Sequence, residues 1–456
     1  MADSRRSRPA ESPTRPDLRA AVANLLAQAL PDGGRIGVAL SGGRDSVALF
    51  DATASVAAAA RCEVVALHVH HGLSGNAGAW SSFCAELCAA HGVACATREV
   101  RIARGARIGI EAAARAARYE ALEALARERL ASAVLLAHHA DDQAETLLLQ
   151  LLRGAGPRGL AAMPSARLVR GIRWLRPFLA VSRASLDAYL ALHRLNYIDD
   201  ESNADHRYRR NALRANLVPA LRTIAPGYPG VLVRAAGHQA EAAALLDELA
   251  RIDAGPAFDG STLDRAALRT LDAPRARNLL RWFLRQQEAR APSSARLADM
   301  LRQLTTARDD SHVSITQGDV ELGLHRGRII LHRPASPRYV REWDGTSVVE
   351  LPHGTLVFAP ARGEGIAARR LASACVTIRA GAPGERLRLA GRASARHVAD
   401  LLREAGIPAW NRTGVPRVYC DEALAAVACA GVDALFAAAR DEPAFALDWR
   451  PRGRQD

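Results

Sequence analysis

Six consecutive residues near the start of the chain could hold a phosphate group. They are Ser41, Gly42, Gly43, Arg44, Asp45 and Ser46. Glycine lets a backbone approach an anion closely, and the N–H groups that open a helix attract negative charge. The aspartate suits this setting if it holds a metal ion or orients a substrate amine. A turn capped by serine and aspartate is the simpler interpretation. The complete six-residue pattern directly follows an apolar segment, however, and this favours phosphate binding.

A second group of polar residues lies at positions 138–146, in the segment HHADDQAET. His138, Asp142 and Glu145 are spaced three or four residues apart, so on a helix they share one face. Carboxylates arranged in this way can hold Mg²⁺ or clamp an ammonium group. Helix capping by Asp141 explains one acid but not the whole group, so we favour a site that binds Mg²⁺ or an ammonium group. No residue is predicted as a zinc ligand, because a third His or Cys at matching spacing is missing.

Arginines form three further groups that could contact phosphate. Arg115 and Arg118 lie with Glu111 on one helix face, which is equally compatible with a solvated, ion-paired surface. Arg210 and Arg214 are one helical turn apart and could grip an RNA backbone. The third group lies near the carboxyl end and consists of Arg386, Arg388, Arg392, Arg396 and His397, with Trp410 and Arg412 nearby. Trp410 could stack on a base or could simply anchor a core.

The charge balance of the chain points to a polyanionic partner. The 456 residues include 61 Lys and Arg against 48 Asp and Glu, a formal net charge of +13. Nucleic acid is the favoured partner, ahead of a membrane surface, although an arginine-rich composition alone is the alternative. No lysine occurs, so a Walker-type loop, which needs one, is excluded.

Cysteine usage and hydropathy indicate a reduced, cytoplasmic protein. The seven cysteines include no CxxC pair, and no apolar stretch resembling a signal peptide precedes the first predicted helix. No apolar run approaches the roughly 20 residues of a membrane helix, so no membrane partner is predicted. His68, His70 and His71 are interpreted as structural rather than metal-binding.

The elements that must position these residues alternate between strand and helix. Apolar runs predict strands at Arg35–Leu40, Cys62–His70, Val93–Val100 and Ala133–Ala137, each followed by a helical pattern. Such alternation is typical of an α/β fold with a parallel, doubly wound sheet. Ligands bind at the carboxyl ends of the strands in such sheets, and the candidate groups at 41–46 and 138–146 directly follow predicted strands, which agrees with this fold.

The chain is predicted to contain several domains. We expect a disordered tail, a nucleotide-binding domain, a helical middle domain, connecting strands and a small mixed α/β domain at the carboxyl end. Their predicted limits are 1–17, 18–225, 230–312, 313–372 and 373–450.

The loop at 41–46 resembles the PP-loop of the N-type ATP-pyrophosphatases, and the chain from about Arg35 to Leu217 is similar to the tRNA(Ile)-lysidine synthase family, with a weaker resemblance at 373–432. The resemblance is carried by SGGRDS at 41–46, HVHHGLS at 68–74, EAAARAARYE at 111–120, AHHADDQAETLLLQLLRG at 137–154, GLAAM at 159–163, RPFL at 176–179, DDESN at 199–203, RRNALR at 209–214 and, more weakly, GIPAWNR at 406–412. It implies a parallel, doubly wound PP-loop sheet of the adenine nucleotide alpha hydrolase-like class.

The resemblance also implies an activity and its participants. ATP, with Mg²⁺, would adenylate the wobble cytidine (position 34) of the isoleucine tRNA with a CAU anticodon, and free L-lysine would then displace AMP. A homodimer is a possible assembly. By position, the loop at 41–46 would bind ATP, Asp45 would orient the nucleotide, metal or lysine, Asp142 and Glu145 would bind lysine or the metal, and Arg210 would stabilise the intermediate. The expected tRNA contacts are Arg115, Arg118, Arg214, Arg388, Arg396 and Arg412.

Three rival functions remain open at this point. A small-molecule PP-loop enzyme, such as an amide-forming synthetase, would not need the basic surface or the third domain. A tRNA 2-thiolation enzyme would need a CxxC pair, which the sequence lacks. A non-catalytic RNA-binding protein on a decayed nucleotide fold is the alternative from another class. Intact acids at positions 45, 142 and 145 argue against it.

Overall fold

The computed structural model describes residues 17–70, 77–100, 110–199, 209–308, 313–333 and 338–452. The chain divides into two compact units, Met1–Leu245 and Leu246–Asp456. The predicted tail lies, apart from Asp17, outside the described residues. The predicted domain limits stay a prediction.

The first unit is built from alternating helices and strands, as the apolar pattern predicts. In chain order these are α1 (Leu18–Ala29), β1 (Gly34–Ala39), α2 (Arg44–Ala57), β2 (Cys62–His70), α3 (Ala77–Ala90), β3 (Ala94–Glu99), α4 (Ile110–Glu128), β4 (Ala133–Leu135), α5 (Ala140–Leu151), α6 (Pro157–Leu160), β5 (Ala166–Val169), β6 (Ile172–Leu175), α7 (Arg183–His193), α8 (Arg209–Asn216), α9 (Val218–Ile224) and α10 (Tyr228–Ala254), which contains the division between the units.

The strands of this unit form one sheet in the order β3-β2-β1-β4-β6-β5. Five strands are parallel, and β5 is an antiparallel edge strand paired with β6. The predicted parallel, doubly wound sheet is therefore confirmed. Val38 of β1 lies opposite both Ala66 of β2 and Leu135 of β4. This order brings the residues that follow β1 and β4 to one edge, at the point where the strand order reverses.

Helices cover both faces of this sheet, which explains why its central strands are apolar throughout. One face packs against α1, α2 and α7, with Val22, Phe50 and Leu186 in its core. The other packs against α4 through Leu122 and Leu125. Successive side chains of a strand point to opposite faces, so both layers depend on the same short strands.

In its described residues, the second unit contains five α-helices after α10, three of them with no more than seven residues, and four antiparallel sheets. Its elements are β7 (Thr262–Asp264), α11 (Arg265–Thr270), α12 (Ala273–Gln286), α13 (Ser294–Thr306), β8 (Ser314–Gln317), β9 (Val320–His325), β10 (Arg328–His332), β11 (Val340–Glu342), β12 (Val348–Leu351), β13 (Gly354–Arg362), β14 (Ile366–Ala367), α14 (Ala368–Ala372), β15 (Val376–Arg379), β16 (Arg386–Leu387), β17 (Arg396–His397), α15 (Val398–Glu404), β18 (Arg417–Cys420), β19 (Ala423–Val427), β20 (Gly431–Val432) and β21 (Pro443–Pro451).

The sheets of the second unit connect segments that are distant in sequence. They have the orders β7-β10-β9-β8, β11-β15-β18-β19-β20, β12-β13-β21-β14 and β16-β17. The first of them shares a core with α12 and α13, through Phe283, Met300 and Leu322. In the part of the chain that the structure describes, no helix is long and apolar enough to cross a membrane.

Candidate active site

The loop that follows β1 is shaped by its own serines. The hydroxyl of Ser46 accepts a hydrogen bond from the Ser41 amide (3.1 Å) and donates one to the Gly43 carbonyl (2.8 Å). Gly43 occupies the N-cap position of α2 and supplies no side-chain cap. The first N–H groups of α2 therefore lack acceptors from the helix itself, and the helix dipole favours an anion there. This geometry is compatible with the phosphate binding that the sequence predicts.

The two glycines of the loop play different parts. Gly42 has a φ of +84°, and a Cβ on it would lie 2.8 Å from Cδ1 of Ile198. Its carbonyl accepts a hydrogen bond from the Ile198 amide (2.9 Å), which holds the loop against the segment after α7. Gly43 has an ordinary φ of −72°. Conformation and space thus require glycine at position 42, whereas at Gly43 nothing lies closer to a Cβ than 3.5 Å.

Arg44 and Asp45 begin α2 and bind each other. Nε of Arg44 donates to Oδ1 of Asp45 (3.0 Å), and Nη1 of Arg44 lies 3.2 Å from Asp187 on α7. Oδ2 of Asp45 lies 3.6 Å from Nε2 of His139, at the start of α5. The loop and the HHADDQAET segment therefore meet, as the sheet order requires.

Two acids of α5 and two arginines of α8 form a compact cluster, called here the acid–arginine cluster: Asp142, Glu145, Arg210 and Arg214. Arg210 donates to Oε2 of Glu145 (2.5 Å) and to Oδ1 of Asp142 (2.7 Å). Arg214 donates to Oε1 of Glu145 (2.6 Å) and to Oδ1 of Asp142 (3.3 Å). The structure brings together two motifs that the sequence predicts separately.

Charge in the acid–arginine cluster is balanced, with two carboxylates facing two guanidinium groups. The Glu145 side chain is only 5% exposed and that of Asp142 is 12% exposed. Burial acts to raise the pKa of Asp142, but His139, Arg210 and His138 outweigh it, and the pKa lies below its ordinary value. Asp142 is therefore negatively charged at neutral pH. Arg214 was predicted as a tRNA contact; the structure places it on the acids.

His139 is a functional candidate that the sequence interpretation missed. Its ring is buried, with Nε2 3.6 Å from an oxygen of Asp45 and 3.6 Å from an oxygen of Asp142, and Nδ1 3.5 Å from Asp141. Burial acts to lower the pKa of His139, but the three carboxylates outweigh it and raise the pKa. Its position directly before a helix rich in acids was the available signal.

Arg115 and Arg118, which are predicted to contact tRNA, lie on α4 and affect the pKa of His138, close to Asp142. Burial, together with Arg176, Arg115 and Arg118, lowers the pKa of His138 to about 3 even though Asp142 opposes the change. His138 is therefore neutral, and its Nδ1 is buried with no hydrogen-bond partner among the described residues. Both guanidinium groups of α4 also lie over the ring of Tyr119, at 5.7 and 6.0 Å.

Of the histidines that end β2, His68 has two polar partners, whereas Nδ1 of His70 is buried with no hydrogen-bond partner among the described residues. Nδ1 of His68 lies 2.9 Å from the Leu40 carbonyl and Nε2 lies 3.1 Å from the Ser81 hydroxyl. Burial lowers the pKa of His68. His71 lies outside the described residues. Within the described ranges, no three His, Cys, Asp or Glu residues are grouped so as to hold a metal ion.

The predicted tRNA contacts of the second unit are spread over one hairpin and a nearby turn. Arg396 forms an ion pair with Glu404, and Arg412 donates to the Ile407 carbonyl (3.0 Å). Arg388 is half-buried, and its amide donates to Asp433 (3.0 Å).

Trp410 is held in place by packing. Its ring stacks on His332 with a centroid distance of 4.3 Å and an interplanar angle of 5°. It also covers Gly323, where a Cβ would overlap the indole. The structure therefore favours the core-anchor interpretation of Trp410 over base stacking.

Comparisons with known proteins agree with this fold. A family model described as a PP-loop domain matches residues 15–221. Models described as the TilS substrate binding domain and the TilS substrate C-terminal domain match residues 263–330 and 376–449. The first unit is thus a PP-loop domain of the ATP-pyrophosphatase type, and the chain is an enzyme.

Curated relatives narrow this class to one family. A tRNA(Ile)-lysidine synthase of Nitrosomonas europaea is 39% identical over 94% of this chain and 94% of its own length. Those of Ralstonia nicotianae and Burkholderia pseudomallei are 43% and 40% identical, over 87% and 93% of this chain and 89% and 94% of their own lengths. The chain belongs to the tRNA(Ile)-lysidine synthase family, as its motifs predict.

Proposed function

We propose that this enzyme joins free L-lysine to C2 of the wobble cytidine in the isoleucine tRNA with a CAU anticodon, which changes codon reading from AUG to AUA. The observation that carries this proposal is the contact between the phosphate-binding loop and the acid–arginine cluster through His139. One pocket thus offers an anion site and a cation site side by side.

In the first step, O2 of the cytidine attacks the α-phosphate of ATP and pyrophosphate leaves. The amides that open α2 bind the phosphates and stabilise the negative charge that develops there. Gly42 gives the loop the conformation that allows this approach. Arg210 would stabilise the adenylated cytidine from the acid–arginine cluster.

In the second step, the lysine amine attacks C2, the C2–O2 bond breaks, and AMP leaves with that oxygen. The amine must lose a proton to become a nucleophile. Asp142 and Glu145 would attract the ammonium group of lysine, while Arg210 and Arg214 already balance their charge. Because the cluster has no net charge, it stabilises a protonated amine less than an acidic cluster would. This charge balance favours the neutral form of the amine.

Among the three predicted acids, Asp45 suits Mg²⁺ best. Its side chain is 31% exposed, lies at the phosphate loop and faces one arginine, Arg44, whereas Asp142 and Glu145 are more deeply buried and each face two. Mg²⁺ usually takes one or two carboxylates together with phosphate oxygens. When bound, it would neutralise charge on the pyrophosphate. Asp142 and Glu145 are accordingly assigned to lysine.

The tRNA would be held by arginine contacts from both units. The proposed residues are Arg115, Arg118, Arg214, Arg388, Arg396 and Arg412. The net charge of +13 supports this proposal, and because the chain has no lysine, arginine supplies all 61 of the Lys and Arg charges. Each phosphate contact that is removed should reduce the slope of log affinity against log salt by about 1. The same proposal places the enzyme in the cytoplasm, with a homodimer as a possible assembly.

Radiolabelled lysine, ATP and a CAU-anticodon tRNA test this proposal directly. We expect label to enter the tRNA, one AMP to form per lysine, and Asp142→Asn to abolish incorporation. The proposal fails if the tRNA stays unlabelled while another acceptor is adenylated. Full activity of Asp142→Asn would refute the role given to that residue.

A further inference from the structure

We infer that Arg176 binds a phosphodiester group of the substrates, in a pocket that it shares with Arg115, Arg118 and His138, called here the arginine pocket. The phosphodiester is either the RNA backbone beside the wobble cytidine or the AMP phosphate of the adenylated intermediate. This inference rests on the proposed function, which brings both groups to the carboxyl edge of the sheet.

Arg176 is a buried cation that the protein itself does not neutralise. It directly follows β6 and is 8% exposed. Nη1 donates to the Pro164 carbonyl (3.0 Å), but Nε is buried with no hydrogen-bond partner among the described residues. Arginine is rarely buried in this way without an anion, because an unpaired charge is costly away from water. The position therefore suits an anion that a substrate supplies.

Two arginines of α4 surround the same point. Burial acts to raise the pKa of the Tyr119 hydroxyl, but Arg115, Arg176 and Arg118 outweigh it and lower the pKa. The three guanidinium groups therefore lie near one hydroxyl. The Tyr119 ring contacts Trp174 of β6, with ring centroids 5.2 Å apart, and this contact holds α4 beside that strand. Of the acids whose side chains the structure describes, none forms an ion pair with any of these three arginines.

The arginine pocket is separate from the phosphate loop. The loop follows β1, His138 follows β4 and Arg176 follows β6, and β4 lies between the other two strands in the sheet. Neighbouring strands are about 4.8 Å apart, so the loop and Arg176 begin about 10 Å apart along this edge. Nδ1 of His138 is also buried without a partner, and a neutral imidazole can donate one hydrogen bond. The arginine pocket therefore suits a different anion from the pyrophosphate that the loop would bind.

The charge of the arginine pocket distinguishes the remaining anions of the reaction. A phosphodiester carries a negative charge with no cation attached to it, and guanidinium groups match its oxygens well. The carboxylate of lysine carries an ammonium group on the neighbouring carbon, which the same arginines would repel. The phosphodiesters of the tRNA and of the adenylated intermediate are therefore the better match.

Arg176→Gln tests the inference through two measurements. The affinity for tRNA without ATP, measured by filter binding at several salt concentrations, reports a contact with the RNA backbone. The rate of pyrophosphate release without lysine, at saturating tRNA and ATP, reports a contact with the AMP phosphate. For the RNA backbone, we expect weaker affinity and a slope of log affinity against log salt that is smaller by about 1. For the AMP phosphate, we expect unchanged affinity and pyrophosphate release slowed by about 100-fold, as for other donors to developing negative charge.

Arg170→Gln is the matched control. It also removes one positive charge, but Arg170 precedes β6 whereas Arg176 follows it, so the two lie at opposite edges of the sheet. We expect wild-type values in both measurements for Arg170→Gln. If folded Arg176→Gln equals this control in both, the inference is wrong. An increase only in the KM for lysine would also overturn it, because it would assign the pocket to the lysine carboxylate.

Arg115→Gln decides the case in which Arg176→Gln does not fold. Arg115 is exposed, so the fold does not depend on its side chain. We expect the same measurement to change as for Arg176→Gln, by a smaller factor. Wild-type values in both measurements would overturn the inference. If the wild-type enzyme binds tRNA and releases pyrophosphate but never labels the tRNA with lysine, the proposed function fails instead.

Discussion

Glu145→Gln tests the charge balance of the acid–arginine cluster. Glu145 accepts from Nε of both Arg210 (2.5 Å) and Arg214 (2.6 Å) and is almost fully buried. Glutamine has the same shape but no charge, so the cluster changes from neutral to a net charge of +1. We therefore expect weaker binding of the lysine ammonium group and a higher KM for lysine.

The magnitude follows from Coulomb's law. Two unit charges about 4 Å apart at an effective dielectric constant of about 20 interact by about 4 kcal/mol. Since about 1.4 kcal/mol is a factor of ten, the KM for lysine should rise by up to about 1000-fold. Adenylation does not involve lysine, so pyrophosphate release should change much less.

The chain offers a matched control in Glu123→Gln. Glu123 is also a buried glutamate that faces two arginines, Arg127 at 2.6 Å and Arg170 at 3.4 Å. Arg170 precedes β6, so this group lies at the amino ends of the strands, opposite the proposed site. Both variants should lose similar stability, but only Glu145→Gln should raise the KM for lysine.

Initial rates of lysine incorporation at varied lysine concentration, with ATP and tRNA saturating, provide the assay. A KM for lysine that is the same in Glu145→Gln and Glu123→Gln would refute the assignment of the acids to lysine. An equal loss of pyrophosphate release and lysine transfer in Glu145→Gln would instead point to Mg²⁺ at this acid.

Three further predictions address the loop, the fold and the thiols. Gly42→Ala should slow pyrophosphate release by at least about tenfold. A left-handed φ costs a non-glycine residue about 1–2 kcal/mol, and the added Cβ would also clash with Ile198. A loss of rate no larger than in Gly43→Ala would contradict this prediction. Tyr189→Phe removes a hydrogen bond to buried Asp51 (2.6 Å) and should lower the free energy of unfolding by about 1.5–3 kcal/mol in urea titrations, and an unchanged midpoint would count against it. A hydrogen bond from the Cys88 thiol lowers the pKa of Cys95 to about 7, although burial opposes this. The rate at which iodoacetamide alkylates Cys95, measured by mass spectrometry, should therefore increase up to about pH 7 and then level off. A rate that still rises steeply above pH 8 would exclude the shift.

The elements of the first unit could be predicted closely because their signals are local. The strand predicted at Cys62–His70 has the same limits in the structure, and the helical pattern predicted after the fourth strand corresponds to α5. Runs of apolar residues and their period depend only on neighbours in the chain. The second unit was predicted less well, because strands such as β7 and β10 pair across more than 60 residues and single short strands carry weak patterns.

The candidate site also combines features that follow from local spacing with contacts between segments that are distant in sequence. Glu145 and Asp142 could be placed on one helix face from their spacing alone, since a helix fixes which residues are neighbours. Arg214 was expected to contact tRNA, because nothing in its own segment indicates that acids 69 residues away would face it. His139 belongs to the segment for which the sequence favours binding, but its spacing gave it no separate role.

By itself, the sequence determined the phosphate loop, the acidic helix, the parallel sheet and the family. These follow from residue type and spacing within one element, where covalent geometry fixes the distances. Only the tertiary structure decided that Arg210 and Arg214 neutralise Asp142 and Glu145, and that His139 joins them to Asp45. These contacts depend on the strand order that places β4 beside β1, and that order results from packing over the whole unit.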